Sequence, residues 1–166
     1  MLRDVRRIRT FLAYKGFQWE PLVNAGEADE RPGDFTASRM NDACLVGTIL
    51  SIGQERPYDG SPIQVVVDEG ERAGRLVGLR DRLETAVHPL CKAGAEAGLP
   101  LVVVLVNHDP HWRFEDLSVV LEDKSASALP SVDLFIWFDD FRNDRMLFRR
   151  TNPAAYESLF SWFHVA

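Results

Sequence analysis

Three groups of side chains in this 166-residue sequence carry atoms that could do chemistry. The first joins the turn Arg31-Pro32-Gly33-Asp34-Phe35 to Asp68 and Glu69, which end the β-branched run Ile63-Gln64-Val65-Val66-Val67. Carboxylates on a turn and at a strand end suit Mg²⁺, because that hard cation takes oxygen ligands and keeps several waters. A metal so held can clamp a phosphodiester and acidify the water that attacks it. Asp34 with Asp68 or Glu69 is therefore the candidate catalytic and metal-binding set, with Mg²⁺ as cofactor.

The second group is Asn107-His108-Asp109-Pro110-His111-Trp112, at the C-terminal end of the apolar run Leu101–Val106. Ligand sites in open α/β sheets favour that edge, and imidazole beside carboxylate can act as acid and base. His108, Asp109 and His111 make a zinc site only with a further ligand from elsewhere, and a plain polar loop is the simpler expectation. His88 and His164 have no partner close in sequence. The third group is aromatic: Phe135, Trp137, Phe138, Phe141 and Phe148, then Tyr156, Phe160, Trp162 and Phe163. These are expected in the core; exposed, Trp162 and Phe163 would be anchors for a partner chain. The sequence has no phosphate-binding glycine loop, nucleophile elbow, Cys-x-x-Cys pair or dinucleotide fingerprint.

Charge narrows the partners. A net charge of −6 weighs against nonspecific binding of polyanions, which basic patches drive. It leaves room for a local basic face, since Arg3, Arg6, Arg7 and Arg9 cluster at one end and Arg142, Arg145, Arg149 and Arg150 near the other. Solvated charge is the ordinary role of such clusters.

The elements that must position these groups follow from periodicity. Val5, Ile8, Phe11 and Leu12 predict a short amphipathic helix ended near Gly16. Phe17–Val23 predicts a weak strand, with Pro21 favouring an edge, and Asn24–Asp34 a loop. Cys44–Ile52 suits helix or buried strand and is read as strand; Gln54–Pro62 is a turn, and Ile63–Val67 a further strand. Leu76, Leu79, Leu83, Val87 and Leu90 mark the longest helix, Arg72–Ala97, with a kink expected at His88-Pro89. Leu101–Val106 is a buried strand, Leu117–Leu121 a short strand or turn, and Val132–Phe138 and Arg145–Arg150 two more strands. Tyr156–Phe163 closes the chain as a helical turn on the sheet.

A strand, a long helix and a buried strand in succession form a crossover unit, which implies parallel pairing. The fold class is therefore α/β, as a single domain over residues 1–166. Apolar residues at 46% and charged residues at 27% are ordinary globular composition. No apolar run is long enough for a membrane span, and no leader-like stretch follows Met1, so a cytoplasmic location is expected. Cys44 and Cys91 lack metal-ligand spacing and are read as free thiols.

This succession resembles a known family. The short first helix, the proline-and-aspartate turn, the acids after a strand, the long helix and then Leu99-Pro100-Leu101-Val102-Val103-Val104-Leu105-Val106-Asn107 resemble the restriction-endonuclease-like fold, the PD-(D/E)XK superfamily. Val132-Asp133-Leu134-Phe135-Ile136-Trp137-Phe138, with Asn152-Pro153-Ala154-Ala155 before the closing aromatics, is similar to the end of some bacterial members. The resemblance spans Phe17–Phe163 and implies a central mixed sheet with a long crossover helix. It also implies Mg²⁺-dependent hydrolysis of nucleic acid, in which the turn aspartate and strand acid bind metal and a lysine supports the attacking water. Asp34 matches the first with a glycine inserted after Pro32, and Asp68 or Glu69 the second. No lysine matches the third, since Gly70 or Glu71 stands there. That departure admits an inactive derivative, a noncatalytic protein-interaction module or a subunit of a larger complex or homo-oligomer. A rival placement on Asp109-Pro110 and Leu121-Glu122-Asp123-Lys124 has a literal acid, spacer and lysine, but puts the motif after the long helix, against the usual order.

Overall fold

Strands rich in β-branched and aromatic residues pair in chain order to make one mixed sheet with helices on both faces. The computed structural model describes residues 2–22, 33–53, 69–122 and 128–163. Helix α1 (Leu2–Tyr14) leads into strands β1 (Gln18–Pro21), β2 (Asp34–Arg39) and β3 (Asp42–Ile52). Helix α2 (Glu69–Ala97), β4 (Leu101–Asn107), α3 (Phe114–Glu122), β5 (Leu134–Asp139), β6 (Arg145–Phe148) and α4 (Pro153–Phe163) follow. A single 3₁₀ turn, Leu129–Ser131, precedes β5. The first three strands form an antiparallel meander, β3, β4 and β5 run parallel, and β6 returns antiparallel.

Alternation along the strands divides the core in two. Val46, Ile52, Leu101, Val103, Leu105, Phe135 and Trp137 face α2 and α3, where Leu79, Leu83, Val87, Leu90, Leu117 and Val120 cover them. Leu45, Ile49, Val102, Val104, Val106, Leu134 and Ile136 face α1 and α4, beneath Val5, Ile8, Leu12, Leu159 and Phe163. Covered on both faces, β4 is buried at every position, which is why it reads as an unbroken apolar run.

The mixed α/β architecture and the crossover from β3 through α2 to β4 agree with the expected fold class. Three expectations are corrected. Strand β2 occupies residues that the sequence pattern leaves unassigned beyond the loop. Phe114–Glu122 is a helix, because Phe114, Leu117, Val120 and Leu121 recur at helical spacing once the window begins before Leu117. Glu69 opens α2 and does not end a strand, and α2 continues through Pro89 as one element. The expected turn Gln54–Pro62 and strand Ile63–Val67, with Asp68, lie outside the described residues.

Among the described residues no helix is long and apolar enough to cross a membrane. Cys44 and Cys91 are both half-buried free thiols.

Candidate functional site

Asp34 sits at the start of β2, directly across from Thr48 of β3. Thr48 shares its strand face with Val46 and Ile52, so the pair looks toward α2. The carboxylate is buried, and Thr48 Oγ1 donates a 2.7 Å hydrogen bond to Asp34 Oδ1. Two residues on, Leu50 packs into the α2-side core. Glu69 lies exposed in the first turn of α2, and Asp68 is outside the described residues. Thr48 thus engages one oxygen of the Asp34 carboxylate through a neutral hydroxyl. Among the described residues no three His, Cys, Asp or Glu side chains are grouped to hold a metal ion.

The glycine before Asp34 has a steric reason. A Cβ on Gly33 would come within 2.5 Å of the Ile49 carbonyl oxygen, while Ile49 N donates to Gly33 O at 2.9 Å. Backbone therefore touches backbone where β2 begins, and a side chain there would push Asp34 away from Thr48.

The densest polar cluster lies on the other face, at the C-terminal rim of the parallel strands. His108, the residue after β4, is buried between two carboxylates. Its Nε2 lies 3.1 and 3.0 Å from Asp4 Oδ1 and Oδ2, and its Nδ1 lies 2.5 Å from Asp140 Oδ2. A neutral imidazole has one N–H, so donating to both acids requires the imidazolium. Burial disfavours that charge, but the hydrogen bonds and negative charges of Asp140 and Asp4 outweigh it and raise the His108 pKa above its usual value. The effect is reciprocal at Asp140: burial pushes its pKa up, and the contacts with His108 and Arg7 overcome this and hold it below the usual carboxylate value.

Secondary structure brings these groups together. The apolar stripe of α1 seats the helix against the sheet, which drops Asp4 in its first turn over the ends of β3 and β4. Ser51 Oγ of β3 donates to Asp4 Oδ2, so one carboxylate ties a helix to two strands. Arg7, one turn on, donates from Nη1 to Asp140 Oδ1 at 2.9 Å and lies over the Phe138 ring at 5.2 Å. Arg3, Arg6, Arg7 and Thr10 line a cleft of about 410 Å³ that opens onto His108 and Asp140.

The structure separates the residues of the second sequence group. Asp109 pairs with His111, whose backbone N donates to Asp109 Oδ1 at 2.9 Å and whose Nδ1 is 2.8 Å from the same oxygen. Arg75 of α2 lies 3.9 Å from Asp109 Oδ2. Burial would raise the Asp109 pKa, but its bonds to His111 and the charge of Arg75 lower it. Asn107 fixes the turn, accepting from Asp109 N at 3.1 Å and donating to Trp112 O at 3.2 Å. With both ring nitrogens of His108 engaged, that imidazole has no lone pair to offer a metal or a proton. The aromatic group divides: Phe135, Trp137, Phe138 and Phe163 are buried in the core, Phe148, Tyr156 and Trp162 are half-buried, and Phe141 and Phe160 are exposed, contrary to the core expectation.

Asp4, Arg7, Ser51 and Asp140 are site residues that the sequence patterns do not single out as a set. Comparison with family models, with curated proteins and with solved structures finds no match for this chain.

Proposed function

We propose that this chain is a noncatalytic derivative of the restriction-endonuclease-like scaffold, a domain that binds and does not cleave. The observation that carries the reading is the buried hydrogen bond by which Thr48 of β3 engages the Asp34 carboxylate. A neutral hydroxyl engages the Asp34 carboxylate from the neighbouring strand, and no lysine stands two residues past Asp68 or Glu69. A divalent cation facing one carboxylate and a hydroxyl gains little over its water shell.

The polar cluster on the opposite face supports the same reading. His108 is held as an imidazolium between Asp4 and Asp140, an arrangement suited to fixing α1 on the rim and unsuited to general-base chemistry.

Mg²⁺-dependent hydrolysis of nucleic acid by Asp34, Asp68 and Glu69 is the competing reading, and plasmid nicking separates the two. Incubated with supercoiled DNA and Mg²⁺ or Mn²⁺, the parent and Asp34→Ala should both leave the plasmid as intact as buffer does. Nicking by the parent that Asp34→Ala abolishes would establish the nuclease and overturn the proposal.

A further inference from the structure

We infer that two copies of this chain pair through β6, edge to edge and antiparallel about a two-fold axis, so that the sheet continues from one molecule into the next. This goes beyond the reading above and does not depend on it.

The hydrogen-bond ladder shows which edge is open. Arg149 N donates to Asp133 O at 2.9 Å, and Leu134 stands opposite Phe148 in the register of β5 with β6. Antiparallel pairs alternate between bonded and non-bonded, so Arg145, Leu147 and Arg149 turn their backbone groups to β5, while Met146 and Phe148 turn theirs outward. Strand β6 is the last of the sheet, and those outward N–H and C=O groups meet no hydrogen-bond partner among the described residues. The opposite edge is built differently. Leu22 N donates to Asp34 O at 3.0 Å, which by the same alternation turns Trp19 and Pro21 of β1 outward. Pro21 has no N–H to offer a neighbour, and the Arg9 guanidinium lies 5.1 Å from the centre of the Trp19 ring. Strand β6 carries no proline and no register shift against β5, and the half-buried Met146, Leu147 and Phe148 follow Arg145. Beside them Phe160 of α4, whose ring lies 5.4 Å from that of Phe148, is exposed.

Side chains point to a second copy as the occupant and choose its register. Pairing Met146 with Phe148 of the second copy, and Phe148 with its Met146, satisfies every outward backbone group of both strands. On the α4 face this sets a thioether against an aromatic ring twice, a favourable contact. It also places Asp144 across from Arg150 of the second copy at both ends. Neither makes an ion pair among the described residues: Asp144 Oδ1 accepts from Asp139 N at 3.0 Å, and Arg150 Nη2 donates to the Tyr156 hydroxyl at 3.1 Å. On the other face Leu147 meets its own copy at the axis, with Arg145 facing Arg149. Those like charges are offset within each molecule, Arg145 by Glu115 at 2.9 Å and Arg149 by the buried Asp133. An axis centred on Met146 or Phe148 instead would face Asp144 with Phe148 or Asn152 and lose the ion pairs. A strand pair this short buries too little for an obligate dimer, so the association depends on concentration.

Sedimentation of the full chain between about 10 μM and about 1 mM should show a reversible monomer–dimer equilibrium. Met146→Pro removes an outward donor and no ladder bond of its own chain; it should stay folded by circular dichroism and sediment as a monomer. Arg150→Glu should weaken association about tenfold, since two exposed pairs turn repulsive, and Lys92→Gln on α2 should leave it unchanged. Crosslinking reads the register without relying on either variant. Facing residues of a non-bonded pair lie about 4.5 Å apart at Cα, inside the disulfide range of roughly 4.4–6.8 Å. Leu147→Cys should therefore give a disulfide-linked dimer on mild oxidation, whereas Arg145→Cys and the parent, with its free Cys44 and Cys91, should not. A parent that stays monomeric throughout, a dimer that survives Met146→Pro or is indifferent to Arg150→Glu, or Leu147→Cys that crosslinks no faster than Arg145→Cys would overturn the inference.

Discussion

At the scale of single residues, His108 sets the pH behaviour of the fold. Its pKa is raised above the ordinary 6.5, so the stability it contributes is complete below pH 6.5 and is lost as pH climbs through the raised value. Asp140 is shifted the other way, below 3.8; its contribution is present above pH 3.8 and is lost as pH falls through the depressed value. The clasp is therefore at full strength between these limits. Removing the middle member leaves the buried Asp4 carboxylate without its imidazolium partner, which should cost about 1–3 kcal/mol for His108→Ala near pH 6. Urea midpoints measured against pH should show an alkaline decline in the parent that His108→Gln lacks; parallel curves would sink the assignment. A smaller effect belongs to the other face. Thr48→Val removes a buried hydroxyl donor from Asp34 and should cost about 1–3 kcal/mol by chemical denaturation, with no cost expected only if the bond is absent in solution. Neither pair is legible from sequence neighbours. Proximity groups His108 with Asp109 and His111, yet successive residues at a strand end point to opposite faces. The partners of His108 arrive from 104 and 32 residues away, and only the docking of α1 and the β4–β5 pairing bring them there.

At the scale of elements, what periodicity reveals depends on how much contrast the residues carry. Helix α2 and strand β4 are plain in the sequence, because long aliphatic side chains repeat at helical spacing in one and run without break in the other. Strand β2 is not, since Thr36, Ala37 and Ser38 give little contrast between its faces although Ala37 is fully buried. Its position is fixed by close contact. A Cβ on Gly33 would meet the Ile49 carbonyl at 2.5 Å, and one on Gly47 would meet the Phe35 ring at 2.5 Å and the Val102 carbonyl at 2.9 Å. Backbone cannot swing aside as a side-chain tip can, so Gly33→Ala and Gly47→Ala should each destabilise by about 1–3 kcal/mol in denaturant titrations. A neutral Gly33→Ala would mean that β2 can slide, and that the glycine before Asp34 is incidental to the turn.

At the scale of the whole molecule, the sheet is the shared wall of two cores. The mixed α/β class is readable from strand–helix succession. The division of the sheet's faces is not, because it needs the register of every strand. Leu83 of α2 and Leu12 of α1 are both essentially fully buried, but they belong to clusters separated by the sheet. The strands carry both clusters at once: Val103 and Leu105 of β4 face α2 while Val102 and Val104 face α1. Loss of either cluster strips one side of β4, whose burial on both faces is what its sequence demands. The two cores should then melt together. Leu83→Ala and Leu12→Ala should each cost about 3 kcal/mol through lost burial and a residual cavity, which for a chain of this size lowers the melting temperature by roughly 6–12 °C. Scanning calorimetry should give one endotherm for the parent and both variants, with calorimetric and van't Hoff enthalpies in agreement. A second, earlier transition in Leu12→Ala alone would show that α1 can leave while the α2 side stands. In that case the His108 clasp, which is what fastens α1 to the rim, would be the weak joint of the molecule.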